Sequence, residues 1–296
     1  VFDRSKLSFI IRIARVLEKV PISIANGKEC IYTALCYLIV QVSDYSTALN
    51  LRMEIRFDGK RALVTGSGKG IGREIVKKLA KCGAECIALS RTQEDLDSLK
   101  TEVPGIQTIR VDLADWTATK QAIESLGKID LLVNNAAAFL MCPFLDTSEE
   151  EIDRIFDVNF KGVFNVSQVV ARGMVERGNG GAIVNVSSNA SMIGIKTLAS
   201  YCSSKGALDS LTRVMATELG PHKIRVNSVN PAVVNAGMGI AYVSDPKNAE
   251  NFLPRIPLGK YVESEDVANA VSFLLSDKAG SVNGICMLVD GGLAAN

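Results

Sequence analysis

The chain has 296 residues, 47% of them hydrophobic, enough for one domain of about 240 residues with its own core plus an extension. Its 33 Lys and Arg against 32 Asp and Glu leave a formal charge of +1, which points away from nucleic acid and anionic membranes and toward small-molecule partners. Seven scattered cysteines and a single histidine, His222, spell out neither a disulfide framework nor a metal site; reduced thiols in the cytoplasm are expected.

Residues 1–52 differ in character from the rest of the chain. KLSFIIRIARVLEKV carries Arg12, Arg15 and Lys19 on an apolar background, and the longest apolar run, Ile31 to Val40, has ten residues where a membrane span needs about 20. No transmembrane segment is expected. The first methionine is Met53, and strand-like sequence begins just after it, so 1–52 is read as an N-terminal extension, native or not. Residues 53–296 are read as a single catalytic domain.

The domain opens with RALV, a short apolar run, followed by TGSGKGIG (Thr65 to Gly72) and then by Ile75, Val76, Leu79 and Ala80 at helical spacing, with Gly83 at the stop. The glycine stretch fits neither G-x-G-x-x-G nor the nucleotide-triphosphatase P-loop. Its setting is the informative part. A strand that passes through glycines into a helix N-terminus presents unpaired N–H groups and a partial positive charge, which suits a pyrophosphate.

Further strands are expected at ECIALS (85–90), QTIRVDL (107–113), DLLVNNA (130–136), AIVNVSS (182–188), KIRVNSVNP (223–231) and ICMLVDGG (285–292). Helical patterns separate them: Gln93–Lys100, Thr117–Leu126, Glu149–Val175 as one helix or two, Ser200–Leu219 and Glu263–Leu275. Near-continuous apolar strands need helices on both faces, and strict alternation means right-handed crossovers. The expected fold is therefore α/β: a Rossmann-type doubly wound parallel sheet of about seven strands. The irregular stretch Val233–Pro257 reads as a lid or specificity loop. Ligands of such sheets bind beyond the carboxyl ends of the strands.

Four residues stand out at that edge. Tyr201 and Lys205 lie four apart in a helical pattern and share a face; Ser188 ends a strand; Asn159 sits in a helical pattern where propensity gives it no reason to be. An ammonium beside a phenol favours the phenolate, so Lys205 is expected to lower the Tyr201 pKa and make it a usable proton donor or acceptor.

On these motifs, the chain from about Arg56 to Gly292 resembles the short-chain dehydrogenases/reductases. TGSGKGIG matches the family's TGxxxGIG, Asn134 to Ala137 matches NNAG except at its last position, and YCSSK reproduces Y-x-x-x-K, with 13 residues from Ser188 to Tyr201. Ala232 stands where the family's PG motif has Gly. The resemblance implies a catalytic tetrad of Asn159, Ser188, Tyr201 and Lys205, with Asn159 holding a water for Lys205. It also implies hydride transfer between a nicotinamide and a ketone or α-dicarbonyl, without a metal, and a homotetramer.

For the cofactor it implies a pyrophosphate held by Gly66, Ser67, Gly68, Lys69, Gly70, Ile71 and Gly72. Asp112, Leu113, Asn135, Ala136, Pro231, Val233, Val234, Tyr201 and Lys205 complete the implied cofactor-binding set, with the NPAVV stretch at the nicotinamide and Lys205 on its ribose. Ser90-Arg91-Thr92 follows the second strand with no carboxylate until Glu94, so NADP(H) is expected over NAD(H), Arg91 and Lys69 meeting its 2′-phosphate. Rival readings are a 3-oxoacyl thioester reductase or hydroxysteroid dehydrogenase on the same tetrad, and a non-catalytic NADP-binding sensor, which would have no need of Tyr201 and Lys205 together.

Overall fold

Seven strands form one sheet in the computed structural model, which describes residues 54–240, 244, 246, 250 and 252–295, Met238 for its backbone only. The extension 1–52, with its apolar run and its basic stretch, lies outside the described residues, as does most of the middle of the expected lid. The strands are β1 (Arg61–Thr65), β2 (Glu85–Ser90), β3 (Gln107–Arg110), β4 (Leu131–Asn134), β5 (Gly181–Val186), β6 (Ile224–Pro231) and β7 (Cys286–Val289). Their order is β3-β2-β1-β4-β5-β6-β7, and every neighbouring pair is parallel. Helices α1 (Gly70–Lys81), α2 (Gln93–Glu102), α3 (Trp116–Glu124), α4 (Glu149–Phe156), α5 (Val163–Arg177), α6 (Ala199–Leu219) and α7 (Ser264–Leu275) connect them.

The apolar strands are explained by two cores, one on each face. Side chains alternate along a strand, so Leu63, Leu132 and Ile183 pack with Val166, Val170 and Met174 of α5 and Met215 of α6. Their neighbours Val64, Val133 and Val184 face Val76 and Leu79 of α1 and Val267, Val271 and Leu274 of α7. Asparagines inside the sheet bond to one another and to the helices through their Nδ2 groups. Asn134 Nδ2 donates to Asn185 Oδ1 across the β4–β5 register and to Ser167 on α5, both at 2.8 Å, and Asn185 Nδ2 donates to Thr212 on α6. These bonds tie the strand ends to both flanking helices.

The two edge strands are shorter than expected, and the open choice at Glu149–Val175 is decided. Val111–Leu113 leave the sheet after β3, because β3 is an edge strand whose one neighbour, β2, ends at Ser90. Likewise β7, the other edge, covers only four of the eight residues expected. The pattern Glu149–Val175 is two helices joined by a π-helical turn, Asp157–Gly162, with Asn159 inside it. The order in which strands are added reverses at β1: β2 and β3 build outward on one side, and β4 starts again on the other. Such a switch point opens a crevice above the carboxyl ends. No helix among the described residues is long and apolar enough to cross a membrane.

Candidate active site

The loops after β1 to β6 line one cleft of about 1040 Å³ at the carboxyl edge. Its floor at the switch point is the glycine loop. Gly66 takes φ +63°, and a Cβ there would come within 2.6 Å of the Ala136 Cα; a Cβ on Gly72 would strike the Gly66 carbonyl. The loop is thus pressed against the end of β4, and Asn135 clamps it by donating from Nδ2 to the carbonyls of Thr65 (3.1 Å) and Gly66 (3.0 Å). Thr65 Oγ1 accepts from the amides of Asn135 and Ala136 in return. At the start of α1, Lys69 supplies no side-chain cap and the first turn holds no acid, so the positive end of the helix stays available to an anion.

The expected cofactor residues divide in their surroundings. Gly66, Gly68, Lys69, Gly70 and Ile71 line the cleft, with Ser90, Arg91, Thr92, Asp112, Leu113, Asn135, Ala136, Tyr201, Val233 and Val234. Ser67 does not: it is fully buried, and both its hydroxyl and its amide donate to the Leu89 carbonyl at 3.1 Å, fastening the loop to β2. Gly72, Lys205 and Pro231 lie behind the surface.

At the far end Lys69 Nζ stands 3.4 Å from Asp95 Oδ1, so the second cation comes with a carboxylate that the sequence expectations do not include. Arg110 is absent from them as well. The register Ser90↔Arg110 brings it beside Arg91, whose carbonyl accepts from Arg110 Nε at 3.3 Å, and both line an adjoining recess with Thr92. Its signal is the pairing of the third strand with the second, which spacing alone does not reveal. Asp112 is partly buried, which raises its carboxyl, but the Ala114 amide and the Arg154 guanidinium outweigh this and hold it below the usual range.

The four proposed catalytic residues gather where β5 and β6 meet α6. Ser188 follows β5, its Oγ accepting from the Ala190 amide at 3.2 Å and donating to the Pro231 carbonyl at 3.4 Å. Tyr201, in the first turn of α6, meets Phe139 edge to face at 5.1 Å between centroids. Lys205 is one turn on and 2% exposed; its Nζ lies 5.6 Å from the Tyr201 ring centroid and donates to the Val186 carbonyl at 2.9 Å.

Burial raises the Tyr201 phenol to about 12, while a hydrogen bond from Ser188 pulls the other way. Burial lowers Lys205 to about 8, opposed by the charge of Asp209. The expectation that Lys205 lowers the Tyr201 pKa is therefore corrected: desolvation of the phenol dominates, and the site holds Tyr201 protonated. The side chain of Asn159 is held on all sides. Its Oδ1 accepts from the Ala138 amide (2.7 Å), and its Nδ2 donates to the Ala138 carbonyl (3.0 Å) and to Ser204 Oγ (3.1 Å). With its amide so engaged, Asn159 braces the cleft loop and, through Ser204, the carbonyl of Tyr201.

One wall carries strain. Thr197, on the loop lining the cleft before α6, has φ +68°, a left-handed conformation that a β-branched side chain resists. It persists because the Thr197 carbonyl accepts from the Cys142 amide at 2.8 Å. Thr197→Asn, which tolerates this conformation, is expected to stabilise the fold by about 1 kcal/mol, raising Tm by roughly 2–4 °C in thermal melts.

Comparison with known proteins agrees with this geometry. The sequence profile described as Enoyl-(Acyl carrier protein) reductase matches residues 66–294. L-xylulose reductase of Bos taurus is 56% identical over 243 residues, 82% of this chain and 100% of that protein. Carbonyl reductase [NADPH] 2 of Sus scrofa is 54% identical over 244 residues, again 82% of this chain and 100% of that protein. Among solved structures, gluconate 5-dehydrogenase from Burkholderia cenocepacia in complex with NADP and tartrate is 33% identical, covers 82% of this chain and 98% of its own, and superposes with a TM-score of 0.78. Parallel doubly wound sheet, glycine-floored cleft, Y-x-x-x-K helix and these relatives agree: the chain is an oxidoreductase that belongs to the short-chain dehydrogenase/reductase family.

Proposed function

We propose that the enzyme reduces L-xylulose and small α-dicarbonyl compounds such as diacetyl with NADPH, using Ser188, Tyr201, Lys205 and Asn159. The observation that carries this reading is the half-buried Tyr201 phenol beside the Ser188 hydroxyl in the wall of the cleft floored by the glycine loop. The names of the two close relatives support the substrates and the cofactor. The residues present fit NADP(H): the glycine cradle has no room for side chains, the N-terminus of α1 is open to a pyrophosphate, and Arg91 with Arg110 offers cations where β2 ends.

When bound, the cofactor supplies the hydride. Tyr201 delivers the proton to the carbonyl oxygen, a form of catalysis worth about 10²–10⁴ in rate. Ser188 donates a hydrogen bond to that oxygen as charge develops on it. Lys205 as an ammonium polarises the Tyr201 ring and would hold the nicotinamide ribose, while Asn159 keeps the Ala138 loop and the start of α6 in register.

Steady-state rates of purified protein test the reading. Turnover of L-xylulose and diacetyl with NADPH is expected; activity on acyl thioesters or steroids alone would overturn it. The same resemblance leads us to infer a homotetramer, which light scattering would check, and a cytoplasmic location, in keeping with five unpaired cysteines in the described residues. Residues 1–52 are proposed to be dispensable. Their deletion should leave activity and Tm unchanged, and a large drop in either would count against it.

A further inference from the structure

Behind the catalytic residues lies a buried carboxylate that the proposed reaction does not use. Asp209 follows Lys205 by one turn of α6 and is 4% exposed. Among the described residues it forms no ion pair, and its hydrogen-bond partners are neutral groups on β6 and the Cys286 thiol on β7. Ser228 Oγ donates to its Oδ1 at 3.1 Å and Asn230 Nδ2 to its Oδ2 at 2.8 Å. A buried carboxylate held only by neutral groups is costly unless a cation lies within reach, and Lys205 is a buried ammonium on the same face of the same helix. Asn230 completes a second link, since its Nδ2 also lies 3.1 Å from the Ser188 carbonyl and 3.0 Å from Ser191 Oγ.

We propose that Asp209 is a positioning residue of this active site: its charge keeps Lys205 an ammonium, and through Asn230 its carboxylate sets the main chain that presents Ser188. The proposal rests on the catalytic roles of Lys205 and Ser188. Asp209 opposes the loss of the Lys205 proton that burial favours. The other titratable or charged groups nearby are Tyr201 and Cys202 on α6, and Cys286 on β7 with Arg213 beside it. Asp157 and Lys161 of the π turn pair with each other at the surface. From β5, β6 and the inner side of the π turn the described neighbours are neutral: Val186, Ser228, Asn230 and Asn159.

The test is the pH profile of kcat/KM for diacetyl with NADPH. Loss of activity on the alkaline side should centre near 8 in the unmodified enzyme, where Lys205 gives up its proton. Asp209→Asn keeps the shape and removes the charge, and should move that limb down by about one pH unit. Asp209→Glu should restore it. A purely structural role would lower activity evenly across pH, so a folded Asp209→Asn variant with an unmoved limb, or a Glu variant that follows Asn, overturns the proposal.

If Asp209→Asn does not fold, ¹⁵N-lysine NMR of the unmodified protein decides, with Lys205→Arg for assignment. An ammonium persisting to about pH 8 supports the proposal, and a Lys205 already neutral at about pH 6.5 sinks it. Failure of the unmodified enzyme to turn over diacetyl would strike the proposed substrate instead, leaving the titration to judge Asp209.

Discussion

Tyr201→Phe is expected to lower kcat by at least about 10²-fold while leaving the Kd for NADPH nearly unchanged. The substitution removes one hydroxyl and keeps the ring that packs edge to face on Phe139 and lies beneath Lys205, so the wall of the cleft survives. What disappears is the proton donor. Burial raises the phenol to about 12, so Tyr201 keeps a proton to donate at neutral pH, and an aliphatic alcohol such as Ser188 is a far weaker acid than a phenol and no substitute. The loss should therefore fall on kcat, read by steady-state kinetics, with cofactor binding followed by NADPH fluorescence. A variant keeping more than about a tenth of the rate would show that the proton comes from elsewhere.

Arg91→Ala should weaken NADPH by roughly 10- to 150-fold and barely affect NADH, since a charge-assisted hydrogen bond contributes about 1.5–3 kcal/mol and only NADPH carries the 2′-phosphate. The structure bears on the choice of residue. Lys69, the other expected cation, is 72% exposed and faces Asp95, so its charge is partly answered before any phosphate arrives. Arg91 lines both the cleft and the adjoining recess, and Arg110 reinforces it from β3. KM values for the two cofactors, measured on the unmodified enzyme and the variant, check this. Equal preference before the substitution, or an unchanged preference after it, would refute the assignment.

The candidate site is legible in the sequence where its residues are close together or governed by periodicity. Tyr201 and Lys205 share a helix, and four residues of α-helix bring them to one face in any fold. The glycine loop can be placed because a strand, glycines and a helix follow one another directly. Asp95, Arg110 and Asp209 escape such a reading because they matter through strand order and register: Arg110 through its pairing with Ser90, and Asp209 through Asn230 and Ser228 on a strand that crosses beneath α6. The direction of the Tyr201 shift escapes it for a related reason, because a neighbouring ammonium can be inferred from spacing whereas the depth of burial cannot.

By itself, the sequence determined the alternation of seven apolar strands with helices, and hence a parallel sheet covered on both faces. The physical reason is local: apolar runs and helical spacing dictate which surfaces each element must hide. Only the tertiary structure decided where the strands end, since Val111–Leu113 lose their partner at the sheet edge, and how the pattern Glu149–Val175 breaks into two helices around a π turn. It also decided which polar groups face the cleft and which are spent inside. Ser67 and Asn159 carry the same chemistry as Ser188, Ser90 or Asn135, and their roles diverge because packing gives their hydrogen bonds to Leu89, Ala138 and Ser204. A hydrogen-bonding group can be read from one residue, but its partner depends on which segments the fold brings beside it.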